Sequence, residues 1–193
     1  MKWVLASANA GKQREFAALL APRGIEVLLQ SAFGVQSVEE TGTTFEANAL
    51  LKARHAAAAT GLAALADDSG LEVDALQGRP GVYSARYAGE GASDVANNAL
   101  LLQELAGVAD ERRTARYRCV LVLVRDGTDV APLIVNGAWE GRIARAPSGQ
   151  GGFGYDPLFI PAGLSVSAAQ LPADEKNARS HRGQALRALL ARL

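Results

Sequence analysis

Apolar positions along the chain recur with two periods, and they mark out its elements. Lys2 to Ala6 reads as a first strand, and Lys12 to Leu20 as a helix with Phe16, Leu19 and Leu20 on one face. Ile25 to Gln30 is a second strand. A helix is predicted from about Thr44 to Thr60, closed by Gly61, with Thr43 and Glu46 in capping-box spacing. The short apolar run LAALA, ending at Ala66, reads as a buried strand. Ser93 caps a helix to about Leu105, with Leu101, Leu102 and Leu105 turned inward. From Thr114 to Val124 the pattern is strand-like, amphipathic in its first half and apolar on both faces in its second. A turn at Asp126-Gly127 sends the chain back along Leu133 to Ile143, so the two strands form an antiparallel hairpin. The last helix is capped by Ser180, with Leu186, Leu189, Leu190 and Leu193 inward.

Polar residues cluster most densely in ADDSGLEVDALQGRPGVYSARYAG, Ala66 to Gly89. Asp67, Asp68 and Ser69 are expected at or just beyond the carboxyl end of the LAALA strand, which is where α/β sheets bind ligands. Neighbouring carboxylates repel unless a proton or a divalent cation separates them, and hard oxygen donors suit Mg²⁺. Asp, Ser and Gly are also turn residues, so DDSG as a plain turn is the competing reading. Ser7 to Gly11 forms a polar loop between strand and helix. Helix-terminal amides and Lys12 would favour an anion there, although SANAGK lacks the glycine spacing of a P-loop and an ordinary capped helix is the alternative.

Glu39 and Glu40 precede the second helix and are free to face a metal, whereas Glu46 is read as part of the cap. Asn48 and Lys52 share a helical face. Lys52 is read as a solvated lysine, His55 as a helix-face residue without a catalytic role, and ADERRTAR as a solvated connection. RAPSGQGGFGYDPLFIP is glycine-rich and carries Phe153, Tyr155 and Asp156. Such a loop suits a flat ring lying on backbone; aromatics that plug the core are the alternative. His181 and Arg182 sit in the first turn of the last helix, where positive charge opposes the macrodipole unless an acceptor docks there. Lys176 lies just before them in a short helical turn.

Composition narrows the class. At 193 residues the chain is expected to be a single domain, 1–193. Twenty basic residues balance twenty acidic ones, which gives no general attraction to nucleic acid or to anionic membranes. Cys119 is the only cysteine, so neither an internal disulfide nor a cysteine-rich metal site is available. The amino-terminal apolar run is too short for a leader or a membrane span, and a soluble cytoplasmic protein is expected.

Acids for a divalent metal, lysines for phosphates and an aromatic loop for a base add up to a nucleoside triphosphate site. The blocks SANAGKQREF, EETGTTFEANALLKA, ADDSGLEVDALQGRPGVYSARYAG, GGFGYDPLF and EKNARSHRGQAL together resemble the inosine triphosphate pyrophosphatase family, over nearly the full length. That resemblance implies an elongated two-lobed α/β fold around a long central mixed sheet with flanking helices, a cleft between the lobes and a homodimer. It implies hydrolysis of dITP, ITP and XTP to the monophosphate and pyrophosphate with Mg²⁺. Asp68 would be the catalytic acid-base residue beside the metal, and Glu40 the second metal acid. Ser7, Ala8, Asn9, Ala10, Gly11 and Lys12 would contact the triphosphate, with Ser69 as a further substrate contact. Phe153, Gly154, Tyr155 and Asp156 would hold the base, and Lys176, His181 and Arg182 would close on the nucleotide. The competing functions are a Maf-like pyrophosphatase with another base preference and a nucleotide sensor without catalysis.

Overall fold

The computed structural model describes residues 1–193. Its elements in order are β1 (Lys2–Leu5), α1 (Ala10–Leu20), β2 (Glu26–Leu29), α2 (Phe45–Thr60), β3 (Ala64–Val73), α3 (Asp94–Glu104), β4 (Thr114–Val124), β5 (Leu133–Ile143), β6 (Phe159–Pro161), α4 (Ala173–Arg179) and α5 (His181–Leu190). The strands hydrogen-bond in the order β2-β1-β3-β4-β5-β6. β1 runs parallel to both β2 and β3, while β5 and β6 are antiparallel, so the sheet is mixed and helices flank it. No helix is long and apolar enough to cross a membrane.

The chain divides into two compact units. The first comprises Met1–Asp68, Cys119–Asn136 and Ala185–Leu193; the second comprises Ser69–Arg118 and Gly137–Gln184. Trp3, Leu5, Phe16, Leu20, Leu65, Leu121, Leu186 and Leu189 build the core of the first. Leu71, Val73, Leu101, Leu105, Tyr117, Trp139 and Phe159 build that of the second. Each fully buried Leu or Phe contributes roughly 1.5–3 kcal/mol, and these residues anchor the strands that carry the polar groups.

In the first unit, β1 leads through α1 to β2 on one side, and β2 returns through α2 to β3 on the other. Right-handed crossovers in opposite directions place α1 and α2 on opposite faces of these strands. Leu5 is level with both Leu29 and Leu65, so the carboxyl ends of β1 and β2 share one edge. β3 continues past that edge.

Several local expectations change. Asp67, Asp68 and Ser69 lie inside a ten-residue strand rather than at its end or in a turn. β1 stops at Leu5, however, and its last partner on β3 is Leu65, so both aspartates still fall beyond the carboxyl end of the parallel pair. Thr44, not Thr43, caps α2, through a bond that its hydroxyl accepts from the Ala47 amide; Glu46 therefore closes no capping box. α1 begins at Ala10 under an Asn9 cap, two residues earlier than the apolar period suggested. Leu193 is 58% exposed, since α5 ends at Leu190.

The connection before β4 is not simply solvated. Arg113 is buried, and it donates to the carbonyl oxygens of Ile143 (2.9 Å), Leu105 (2.8 Å) and Ala144 (2.9 Å). The Ile143 amide donates back to the Arg113 carbonyl at 2.9 Å, so the end of β5 lies beside the start of β4, as a hairpin requires.

Candidate active site

Consecutive residues of a strand point to opposite faces. Asp67 and Asp68 are accordingly served by lysines from different helices, and each carboxylate has its own cation. Asp67 pairs with Lys12 of α1 at 3.2 Å and accepts a weak bond from the Cys119 thiol at 3.6 Å. Asp68 accepts from the Lys52 ammonium of α2 at 2.7 Å. The same ammonium donates to Glu40 Oε1 at 2.8 Å and to the Asp67 carbonyl at 3.0 Å. Lys52 is thus the hub of the acid cluster, with only 13% of its side chain exposed. The solvated reading of Lys52 fails because the acids that hold it come from a loop and a strand elsewhere in the sequence.

Asp68 is 6% exposed, and its second oxygen, Oδ2, is buried without a hydrogen-bond partner. Burial pushes this carboxyl above its ordinary value; Lys52 pulls it back, while Glu40 and Asp67 push it up again. Burial alone would lower the Lys52 ammonium, but Asp68 and Glu40 outweigh that and keep it firmly charged. A carboxylate held at one oxygen, open at the other and shifted toward neutrality has the properties of a general base.

The loop before α1 is folded on itself. Asn9 Oδ1 accepts from the amides of Gly11 (2.8 Å) and Lys12 (3.1 Å), and the Asn9 amide donates to Ser7 Oγ at 3.0 Å. Two of the amides expected to meet a phosphate are therefore engaged by the cap, and Ser7 and Lys12 are the polar side chains that this loop brings to the cavity. Gly42 closes the loop before α2: its amide donates to the buried Asn48 side chain at 2.8 Å, and a Cβ at Gly42 would lie 2.6 Å from that oxygen. This backbone clamp fixes the segment that carries Glu40. Glu39 is exposed, whereas Glu40 is half-buried in the cavity wall. His55 lies on the α2 surface, its Nε2 at 3.0 Å from the Gln36 carbonyl.

The second unit gathers the remaining candidates around Asp156. Its Oδ2 accepts from the Lys176 ammonium at 2.7 Å and from the Phe153 amide at 2.9 Å; its Oδ1 accepts from the Tyr117 hydroxyl at 3.2 Å. Gly152 has φ +73°, and a Cβ there would come within 2.0 Å of Asp156 Oδ2, so only glycine lets the loop close on its own carboxylate. Lys176 Nζ and Arg182 Cζ lie 4.8 and 5.2 Å from the centre of the Phe153 ring. His181 stacks on Tyr117, with centroids 4.7 Å apart and an interplanar angle of 10°. The Gly154 amide donates to Asp94 at 2.6 Å, and its carbonyl accepts from Asn98 at 3.0 Å, which ties the loop to α3.

The two rings of the aromatic loop are placed differently. Phe153 is half-buried beside two cations, whereas Tyr155 is a core residue whose hydroxyl donates to the Ser84 carbonyl at 2.8 Å. Tyr155, expected in the base-holding loop, has its ring and hydroxyl packed inside, and the Asp156 carboxylate bonds within the same loop to the Phe153 amide. Ser69 is half-buried on β3, next in sequence to Asp68. Sequence reasoning left three participants without a role. Lys52 carried a hint in its spacing from Asn48; Asp67 needed the strand to be extended; Tyr117 gave no signal, being one aromatic in an alternating strand.

The chain is similar to known proteins over nearly its whole length. The model of the Ham1 family matches residues 3–192. A dITP/XTP pyrophosphatase of Thioalkalivibrio sulfidiphilus is 58% identical over 193 residues, which is 100% of this chain and 98% of that protein. One from Shigella flexneri is 56% identical over 189 residues, covering 98% of this chain and 96% of its own. The solved structure of a Ham1 protein from Coxiella burnetii superposes with a TM-score of 0.93 at 49% identity, covering 99% of this chain and 97% of that one. A structure from Mycobacterium abscessus, described as a nucleoside-triphosphatase / dITP/XTP pyrophosphatase, gives 0.78 at 47% identity over 98% and 97% of the two chains. With nearly every residue matched by the family model and relatives this similar, the chain belongs to the Ham1 family.

Proposed function

We propose that this chain, acting as one catalytic domain, hydrolyses non-standard purine nucleoside triphosphates, dITP, ITP and XTP, to the nucleoside monophosphate and pyrophosphate. The observation that carries the reading is Asp68, a buried carboxylate gripped by Lys52 at one oxygen and unpartnered at the other. Relatives more than half identical over their whole length are dITP/XTP pyrophosphatases, which supports the same reaction here.

In this mechanism Asp68 Oδ2 accepts a proton from the water that attacks the α-phosphorus, and Lys52 holds the carboxylate in the orientation for that transfer. Lys12 and Ser7 bind the departing pyrophosphate, with Ala8 to Gly11 shaping the loop beneath it. Asp67 keeps Lys12 extended toward the cavity. Phe153 supplies a face for the purine. Lys176 and Arg182 lie over that ring, with His181 next to Arg182 in sequence, and donors among the three satisfy the 6-oxo group of hypoxanthine or xanthine; adenine, with a 6-amino donor, leaves them unpaired. A buried mismatch of this type discriminates by about 10⁴.

The donor set fits Mg²⁺. No group of three or more acidic, histidine or cysteine side chains forms a closed cage. Mg²⁺ commonly binds through one or two carboxylates plus substrate phosphates, and Asp68 with its open oxygen and Glu40 supply that number. When bound, the ion would neutralise charge on the phosphate oxygens. A cytoplasmic homodimer completes this reading, and light scattering of the purified protein tests its subunit count.

The test is product analysis with dITP, XTP, dGTP and dTTP at equal concentration in the presence of Mg²⁺. Release of pyrophosphate from dITP and XTP in preference to the other two supports the reading. Preference for dTTP would instead favour a Maf-like activity, and binding without turnover a sensor.

A further inference from the structure

The cavity beside the acid cluster is about 140 Å³ and extends beyond the residues assigned above: besides Ser7, Lys12, Glu40 and Lys52, Gln30 and Ser37 line it. Their position follows from the sheet. Because β3, β1 and β2 are neighbours in that order, and Leu5 is level with Leu65 and Leu29, the carboxyl edge presents Asp67 and Asp68 first, then Ala6 and Ser7, then Gln30. Strands lie roughly 4.8 Å apart, so the edge runs about 10 Å from the strand of Asp68 to that of Gln30. A triphosphate whose α-phosphorus meets Asp68 has its remaining phosphates free to run along that edge, over Ser7 and Lys12 toward Gln30.

At the far end the chemistry changes. Lys12 and Lys52 are balanced by Asp67 and Glu40, so the cavity wall carries no net positive charge with which to hold a long polyanion. Gln30 and Ser37 are neutral donors. Gln30 is only 4% exposed, although its side chain is polar, and its Nε2 donates to Ser37 Oγ at 3.2 Å. Having accepted that bond, the Ser37 hydroxyl directs its own proton to another acceptor. Neutral donors fixed at a set distance from the base recognise where phosphate oxygens lie rather than how much charge they bring.

We infer that Gln30 and Ser37 form a length gauge that holds the terminal phosphate, favouring nucleoside triphosphates over diphosphates and retaining pyrophosphate after cleavage. The inference rests on Asp68 marking the α-phosphorus. Its test compares kcat/KM for ITP and IDP in the wild type, Ser37→Ala and Gln30→Leu, together with inhibition by pyrophosphate and by IMP. In Ser37→Ala the ITP-to-IDP ratio falls by about tenfold, the worth of a hydrogen bond to a charged group, and the pyrophosphate inhibition constant rises by the same factor. Inhibition by IMP stays within twofold of wild type. Gln30→Leu shows the same pattern, provided that its circular dichroism and melting match the wild type. Because Ser37 is exposed, Ser37→Ala remains informative even if the buried Gln30 variant misfolds. An unchanged ratio and unchanged pyrophosphate inhibition in folded Ser37→Ala overturn the gauge. Release of orthophosphate instead of pyrophosphate from ITP by the wild type would overturn the cleavage reading itself, which separates the two failures.

Discussion

Each unit of this protein contains a buried lysine–aspartate pair at 2.7 Å, and the two pairs are finished differently. Asp156 spends both oxygens: Tyr117 donates to one, and Lys176 with the Phe153 amide to the other. Asp68 has Lys52 at one oxygen and nothing hydrogen-bonded to Oδ2. The ion pair alone does not distinguish scaffold from chemistry; the remaining lone pairs do. A carboxylate with every acceptor used fixes a loop, whereas one with a buried acceptor in reserve has capacity for a proton or a cation.

The comparison breaks most sharply at the two aspartates. Asp68→Asn keeps the size and removes the base, so kcat should fall by about 10³ or more while the Kd for dITP changes little. Wild-type-like turnover in that variant would make Asp68 a scaffold like Asp156. Lys52→Met leaves the buried Asp68 and the half-buried Glu40 without their shared cation and should lower stability by about 3 kcal/mol in denaturant titration. The ammonium lowers the Asp68 pKa, so its loss raises it further. Asp68 must be ionised to act as a base, and the acidic limb of kcat/KM should therefore move to higher pH in Lys52→Met.

Asp156→Asn should show the reverse emphasis: stability falls by about 3 kcal/mol and KM rises, with a much smaller loss of kcat than in Asp68→Asn. Phe153→Ala removes the ring but leaves the anchorage. It should raise KM for dITP by about tenfold, in line with roughly 1–3 kcal/mol for stacking of a base. The smallest effect is expected from Tyr155→Phe, which deletes only the bond to the Ser84 carbonyl; about 1 kcal/mol of stability is lost and base preference is retained.

What the sequence disclosed follows the range of the forces involved. β4 and β5 are legible to the residue because a long run of strand-forming residues, alternating over at least part of its length, is a local signal that tertiary contacts reinforce. The aromatic loop is legible as a tight glycine-rich segment, but which ring faces the core depends on Ser84, far away in the chain. DDSG has the composition of a turn, and strand geometry prevails there because Lys12 and Lys52 satisfy its carboxylates from opposite faces. Lys52 looks solvated for the complementary reason. Local pattern identifies a lysine on a helix, and only the folded chain reveals three oxygens around its ammonium.

Hydrolysis of dITP in water enriched with heavy oxygen, followed by mass spectrometry of both products, tests directly whether water attacks the α-phosphorus. The account predicts one labelled oxygen in dIMP and none in pyrophosphate, with the labelled product lost in Asp68→Asn. Label in pyrophosphate or orthophosphate, with dIMP unlabelled, would place the attack at another phosphorus and contradict it.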